Sequence, residues 1–192
     1  MVKAAFLDRD NTLIKDNGYT FCTDDLIWEP NAIAGLSLLY SMGYKLIVIT
    51  NQSGIARGYY TEEEMDTFHI FMNRDLIDKA GIMIEKFYHC PHYPNGNIKQ
   101  YSKNCNCRKP GDKLFQKAIL DFSIETKESI VIGNNTSDII PAINQGINKG
   151  FLLHNNGNAQ SPENDWPNIM FVSSWIEIIE NITNRQLGSV SI

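Results

Sequence analysis

No apolar run in this sequence approaches the roughly 18 residues that a membrane-crossing helix needs, so no membrane partner is expected. Basic residues are in the minority. Seventeen Lys and Arg face 22 Asp and Glu, leaving a net charge of −5. A nucleic-acid backbone calls for a basic face, so no nucleic-acid partner is expected either. A small anionic substrate needs only a few local cations and stays open. No signal-peptide pattern precedes the first strand, so the expected location is the cytoplasm. Internal repeats and low-complexity linkers are also missing. With 192 residues and 43% hydrophobic residues, the chain is expected to form a single domain over 1–192 and to act as a monomer. Cysteine is scarce, at four residues. Cys22 stands apart and reads as an inert free thiol. The other three lie close together in sequence, beside His92.

What is present begins with an apolar run, Ala4 to Leu7, that stops at Asp8, Arg9 and Asp10. A short apolar run ending in turn residues reads as a buried strand. Two carboxylates therefore sit at a strand's carboxyl end, where open α/β sheets bind ligands. Like charges that close repel unless a cation or proton lies between them. A hard divalent ion such as Mg2+ suits a site that also holds phosphate.

The pattern then alternates. Helices are expected over Asn31 to Met42, with Asn31 as N-cap, and from the Thr61/Glu64 capping box to about Lys79. Further helices are expected over Lys113 to Phe122, from near Ser137, and from a Ser174/Glu177 capping box to about Ile182. Buried strands are expected at Lys45 to Thr50, Ile84 to Tyr88, Ser129 to Ile132 and Lys149 to Leu153. Asn51 to Gly58 reads as a Gly-rich turn suited to phosphoryl oxygens, and 155–167 as loop. His69 reads as structural. Tyr19, Phe21 and Trp28 are expected to pack a covering loop onto the body, though they suit a substrate wall too.

Cys90 and His92, then, after twelve intervening residues, Cys105 and Cys107, are two tight pairs of soft or borderline donors. Three cysteines and a histidine form a standard closed tetrahedral zinc set. A structural Zn2+ is therefore expected to staple the loop 90–107, whose polar interior cannot order itself by burial. Arg108 and Lys109 follow directly and read either as a phosphate clamp or as solvated charge.

Strands alternating with helices give a doubly wound parallel sheet of α/β class. Asp8 with Asp10, Thr50 with Asn51, Arg108 with Lys109, and Asp138 then converge on one rim. Phosphoryl transfer needs such a set of nucleophile, charge neutralisers and metal.

These residues resemble the four motifs of the haloacid-dehalogenase superfamily of aspartate-nucleophile phosphatases: Asp8 to Thr12, Thr50 with Asn51, Lys109, and Gly133 to Asp138. The stretch Thr50 to Gly58 and the zinc loop running into Arg108, Lys109 and Pro110 are similar to its heptose-bisphosphate phosphatases. Histidinol-phosphate phosphatases share the zinc loop and the run Arg108 to Leu114. The resemblance implies a Mg2+-dependent phosphomonoesterase acting on a small sugar phosphate, the 7-phosphate of a heptose 1,7-bisphosphate. It implies Asp8 as nucleophile and Asp10 as acid and base. Thr50, Asn51 and Lys109 would hold the phosphoryl oxygens, and Arg57 and Arg108 the sugar or its second phosphate. Asp8, Asp10, Asn134 and Asp138 would form the magnesium site. The chain departs from the pattern at Asn11, where the family has Gly, and at Asn134, where it has an acid. The Asn134 departure admits a catalytically weak sugar-phosphate binder. A polynucleotide 3′-phosphatase shares the Thr50, Asn51, Gln52 element but calls for a basic stripe.

Overall fold

The computed structural model describes residues 1–154 and 166–188. Among the described residues, six strands form one sheet in the order β3-β2-β1-β4-β5-β6: β1 (Lys3–Leu7), β2 (Tyr44–Asn51), β3 (Lys86–Cys90), β4 (Ile130–Gly133), β5 (Lys149–Leu153) and β6 (Ile169–Val172). Every neighbouring pair is parallel. From β1 the chain winds outward one way to β3 and the other way to β6. The change of direction opens a crevice beyond the carboxyl ends of β1 and β4. Leu7 pairs with Val48 on one side and Ile132 on the other, so Asp8 emerges at that crevice.

Alternation along the buried strands feeds two cores. Ala5, Leu7, Leu46 and Val48 face Leu36, Phe68, Met72, Leu76, Trp175 and Ile178. These come from α1 (Ala32–Ser41), α3 (Glu62–Ala80) and α6 (Trp175–Gly188). Ala4, Phe6, Ile47 and Ile49 face Phe115, Ala118, Ile139 and Ala142, from α4 (Lys113–Phe122) and α5 (Thr136–Asn144). Trp175 needs Gly35 opposite it, where a Cβ would lie 2.3 Å from its Cε3. Its indole Nε1 donates to the Thr12 carbonyl at 2.8 Å and so ties the last helix to the first turn.

Several elements differ from expectation. The third strand begins two residues late. Ile84 is buried, but its backbone N–H and C=O both bond the Asn73 side chain, at 2.8 and 2.9 Å, and so do not join the ladder. The expected Gly-rich turn folds as a short helix, α2 (Ser53–Arg57), closed by Gly58 at φ +80°. The short β6 was not foreseen; its four residues carry too little pattern. Asn31 precedes α1 but adopts φ 65° and makes no side-chain cap. The Thr61/Glu64 capping box forms at both bonds. The Ser174/Glu177 box does not: Ser174 Oγ accepts from Glu177 N–H at 3.4 Å, but the Glu177 carboxylate reaches back to Ser173 instead. Helix α6 continues past Ile182 to Gly188. The expected loop 155–167 lies, apart from 166 and 167, outside the described residues. No helix among the described residues is long and apolar enough to cross a membrane.

Candidate active site

Asp8 extends the β1 ladder, its N–H donating to the Ile132 carbonyl at 2.9 Å. The chain then turns sharply, Leu13 N–H returning to the Arg9 carbonyl. Asn11 takes φ +57° in this turn. Asn enters the left-handed region more readily than most residues, and its Oδ1 accepts from the Asp16 N–H at 3.1 Å. The turn therefore forms without the glycine.

Lys109 reaches this turn from far along the chain. Its Nζ lies 2.6 Å from Asp8 Oδ1, 2.8 Å from Asp138 Oδ1 and 2.7 Å from the Ile49 carbonyl, which uses all three donors of the ammonium. Burial alone would lower its pKa; the two carboxylates outweigh burial and hold it above its ordinary value. Burial lifts the Asp8 carboxyl to about 6 against the pull of Lys109. Thr12 Oγ1 donates to the other Asp8 oxygen at 3.1 Å. Lys109 is thus a buried cation between two acids, which excludes the reading as solvated charge.

Asn51 holds Lys109 by its backbone. Asn51 Oδ1 accepts from the Lys109 N–H at 2.9 Å, and Asn51 Nδ2 donates to the Lys109 carbonyl at 3.1 Å. One amide hydrogen remains for a phosphoryl oxygen. Asp138 is committed too, its second oxygen accepting from the Asn135 N–H at 2.9 Å. It packs against Gly133, where a Cβ would lie 2.5 Å from its own. Asn134 lines an adjoining cavity of about 620 Å³ with Asn11, Asp16 and Glu29.

Asp10 also lies at the rim. Burial raises its pKa, and Arg9 works against that rise. Arg9 is the residue that sequence reasoning passed over. It is 1% exposed, yet charged. Its guanidinium binds Asp10 Oδ1 at 2.8 Å, the Thr20 carbonyl at 2.9 Å and His69 Nε2 at 3.2 Å. Arginine only donates, so His69 Nε2 accepts and the ring is neutral. Burial, then Arg9, push the His69 pKa well below its ordinary value. Its ring stacks on Phe87. Buried Gln52 was passed over as well; its Nε2 lies 2.7 Å from Thr50 Oγ1. A polar side chain next to Thr50 was the available signal.

Arg57 and Arg108 come together on one ring. Their guanidinium carbons lie 4.0 and 5.5 Å from the Tyr93 centroid, and Arg57 also faces Tyr19 at 5.8 Å. Tyr19 therefore belongs to this cationic wall. Phe21 and Trp28 are packing residues: Phe21 stacks on Tyr60, and Trp28 Nε1 donates to Asp75 at 2.7 Å.

Cys90, His92, Cys105 and Cys107 converge with all four ligand atoms within 4.8 Å of one another. Contacts run from 3.1 Å, between Cys90 and Cys107, to 3.7 Å, between Cys90 Sγ and His92 Nδ1. A tetrahedron of zinc–sulfur bonds near 2.3 Å has edges of about 3.8 Å, so the donor set fits zinc with slight expansion. The loop is not held by these four alone. The Ile98 N–H donates to the Ala56 carbonyl at 2.9 Å, and Tyr101 Oη donates to Glu62 at 2.6 Å. Arg108 Nη1 reaches the His92 carbonyl at 3.4 Å, which couples the cluster to the cationic wall.

A buried aspartate clamped by a lysine at the switch point of a doubly wound sheet matches a known pattern. The family model described as polynucleotide kinase 3 phosphatase matches residues 3–168. The chain belongs to this family. Among curated relatives, the D-glycero-alpha-D-manno-heptose-1,7-bisphosphate 7-phosphatase of Photorhabdus laumondii is 40% identical, over 79% of this chain and 82% of the relative. The D-glycero-beta-D-manno-heptose-1,7-bisphosphate 7-phosphatase of Haemophilus ducreyi is 36% identical over 92% and 96%. The D,D-heptose 1,7-bisphosphate phosphatase of B. bronchiseptica, solved with magnesium and phosphate, shares the fold: TM-score 0.78, 22% identity, covering 96% of this chain and 99% of that one. An HAD phosphatase from Thermococcus onnurineus shares it at TM-score 0.63 and 14% identity, covering 94% and 98%. The expected haloacid-dehalogenase fold is borne out.

Proposed function

We propose that this chain is a cytoplasmic, Mg2+-dependent phosphomonoesterase that removes the 7-phosphate of a D-glycero-D-manno-heptose 1,7-bisphosphate. The observation that carries the reading is Asp8, buried at the end of β1 with Lys109 at 2.6 Å and Asp10 two residues on. The names of the curated relatives support the sugar. We read the whole chain, 1–192, as one phosphatase domain that works as a monomer.

Asp8 attacks phosphorus and forms an aspartyl-phosphate as the bond from phosphorus to the sugar oxygen breaks. Asp10 gives its proton to that oxygen. Water then attacks the aspartyl-phosphate and yields a proton to Asp10, which frees inorganic phosphate and restores both acids. Thr50 and Asn51 donate to the equatorial oxygens, and Lys109, whose three N–H bonds are already given, holds them by its charge. Arg57 and Arg108 take the second phosphate, because two cations over one aromatic ring form an anion-binding wall. Asp8, the Asp10 carbonyl and Asn134, with Asp138 in support, would hold Mg2+, which would neutralise charge at the phosphoryl oxygens when bound. Asp138 is itself held in place by Lys109 and the Asn135 N–H. Cys90, His92, Cys105 and Cys107 hold a structural Zn2+.

Phosphate release over a panel of substrates tests the reading. The heptose 1,7-bisphosphate should exceed histidinol phosphate in kcat/KM by at least about tenfold, roughly 1.4 kcal/mol of transition-state binding. Equal or reversed values move the chain to the histidinol-phosphate branch. The family model's name raises a 3′-phosphorylated oligonucleotide as a further substrate. The net charge of −5 weighs against it, and turnover of such an oligonucleotide would revive it. Asp8→Asn should abolish release with the fold intact.

A further inference from the structure

The carboxylate of Asp10 is gripped at both oxygens. Oδ1 accepts from Arg9 Nε at 2.8 Å, and Oδ2 accepts from Gln52 Nε2 at 2.9 Å. The two ends of an amide are nearly alike in shape, so packing alone does not decide which end faces Asp10. Turned over, Gln52 would set its oxygen against a carboxylate oxygen, and both are acceptors. The carboxylate therefore selects the Nε2 end, and the Tyr60 hydroxyl anchors the other: it lies 2.5 Å from Gln52 Oε1 and donates to it. Tyr60 is itself locked. Its ring stacks on Phe21 with centroids 4.8 Å apart. A Cβ at Gly54 would come within 2.2 Å of its Cε1, so only glycine leaves the ring room. Both Gln52 and Tyr60 are buried, where water does not compete for these bonds.

We propose that Tyr60, acting through Gln52, is a positioning residue that fixes the plane of the Asp10 carboxylate for proton delivery to the leaving oxygen. This rests on the general-acid role of Asp10 in the proposed function. Arg9 alone fixes one oxygen and leaves the carboxylate free to swing about it; Gln52 closes the other side. With Oδ1 against a guanidinium, the transferred proton sits on Oδ2. That oxygen lies 3.5 Å from Thr50 Oγ1, beside the phosphoryl group that Thr50 would hold. Gln52 gives one amide hydrogen to Asp10 and the other to Thr50, and the Thr50 hydroxyl itself donates to Asp10 Oδ2 at 3.5 Å, a long bond that a phosphoryl oxygen would take over.

The test compares leaving groups. p-Nitrophenolate departs as a stable anion and needs little protonation, whereas a sugar alkoxide needs a general acid. The ratio kcat/KM reports only steps through phosphoryl transfer, so the later attack of water does not enter. Tyr60→Phe is expected to lower kcat/KM for the heptose 1,7-bisphosphate by about tenfold or more, part of the 10²–10⁴ that a general acid contributes. It should leave kcat/KM for p-nitrophenyl phosphate unchanged. Gln52→Leu should cost at least as much on the heptose 1,7-bisphosphate, and adding Tyr60→Phe to it should cost nothing further. Equal losses on both substrates, or no loss on either, overturn the proposal. A wild type that turns over neither substrate refutes the proposed function instead. The crystal structure of Tyr60→Phe then decides the positioning claim: a rotated or doubly oriented Asp10 carboxylate supports it, and an unmoved one overturns it.

Discussion

Lys109 and Asp8 stand 101 residues apart in sequence, and their side chains meet at 2.6 Å in a buried site. The contact joins the end of the zinc loop to the end of the central strand. Lys109→Met would leave Asp8 and Asp138 facing each other without their cation. Removing one partner of a buried ion pair costs about 3–5 kcal/mol. A urea titration should show that loss, and phosphate release should vanish. Adding Asp138→Asn should recover part of the stability and none of the activity. A single variant as stable as the wild type would mean that the pair is solvated in solution.

Zinc analysis should find one ion per chain. Cys107→Ser should lose it, because three donors close a tetrahedral site poorly. The loop keeps its bonds to Ala56 and Glu62, so the domain should stay folded. Arg108, tied to the cluster through the His92 carbonyl, should lose its fixed direction, and KM should rise more than kcat falls. A metal-free protein with full activity would sink the staple.

His69 gives a pH dependence of known sign. Its folded pKa lies well below the ordinary value of about 6.5. Between the two values the unfolded chain binds a proton that the folded chain does not, so stability rises with pH there. The contribution is complete above about pH 6.5 and is lost as the pH falls through and below that value. One proton gives a slope approaching about 1.4 kcal/mol per pH unit. His69→Gln should flatten the stability curve between roughly pH 6.5 and 5 by that one proton. Parallel curves for the two proteins would show that His69 is accessible and titrates normally.

Asn134 brings a dipole where a carboxylate would bring a full charge, and magnesium favours charged oxygen ligands. The Asp138 oxygens are occupied by Lys109 and the Asn135 N–H, which limits its ability to substitute. Activity should be detectable and need millimolar-range Mg2+. Asn134→Asp should lower the half-saturating Mg2+ and raise kcat together. Saturation of the wild type at micromolar Mg2+, with no gain in the variant, would remove Asn134 from the metal site. A wild type inactive at every Mg2+ concentration, with activity gained in the variant, would identify a binding protein rather than a catalyst.

Local chemistry in the sequence was enough for much of this architecture. Apolar runs ending in turn residues located β1, β2, β4 and β5, because burial and turn formation act over a few neighbouring residues. The Thr61/Glu64 box was legible because both its bonds span three residues. The four thiol and imidazole ligands were legible because their donor type is rare and their spacing tight. Partner choice across the sheet was not. That Lys109 lies between Asp8 and Asp138, that Asn51 clasps the Lys109 backbone, and that Arg9 is buried against His69 depend on parallel register and helix packing. These contacts span 29 to 101 residues of chain, as between Lys109 and Asp138, Asn51 and Lys109 or Asp8 and Lys109. A charged side chain looks the same in sequence whether solvated or buried. Only the folded environment supplies the acceptors that make burial of Arg9 and Lys109 tolerable, and so only the tertiary structure decided how the polar residues of the site pair.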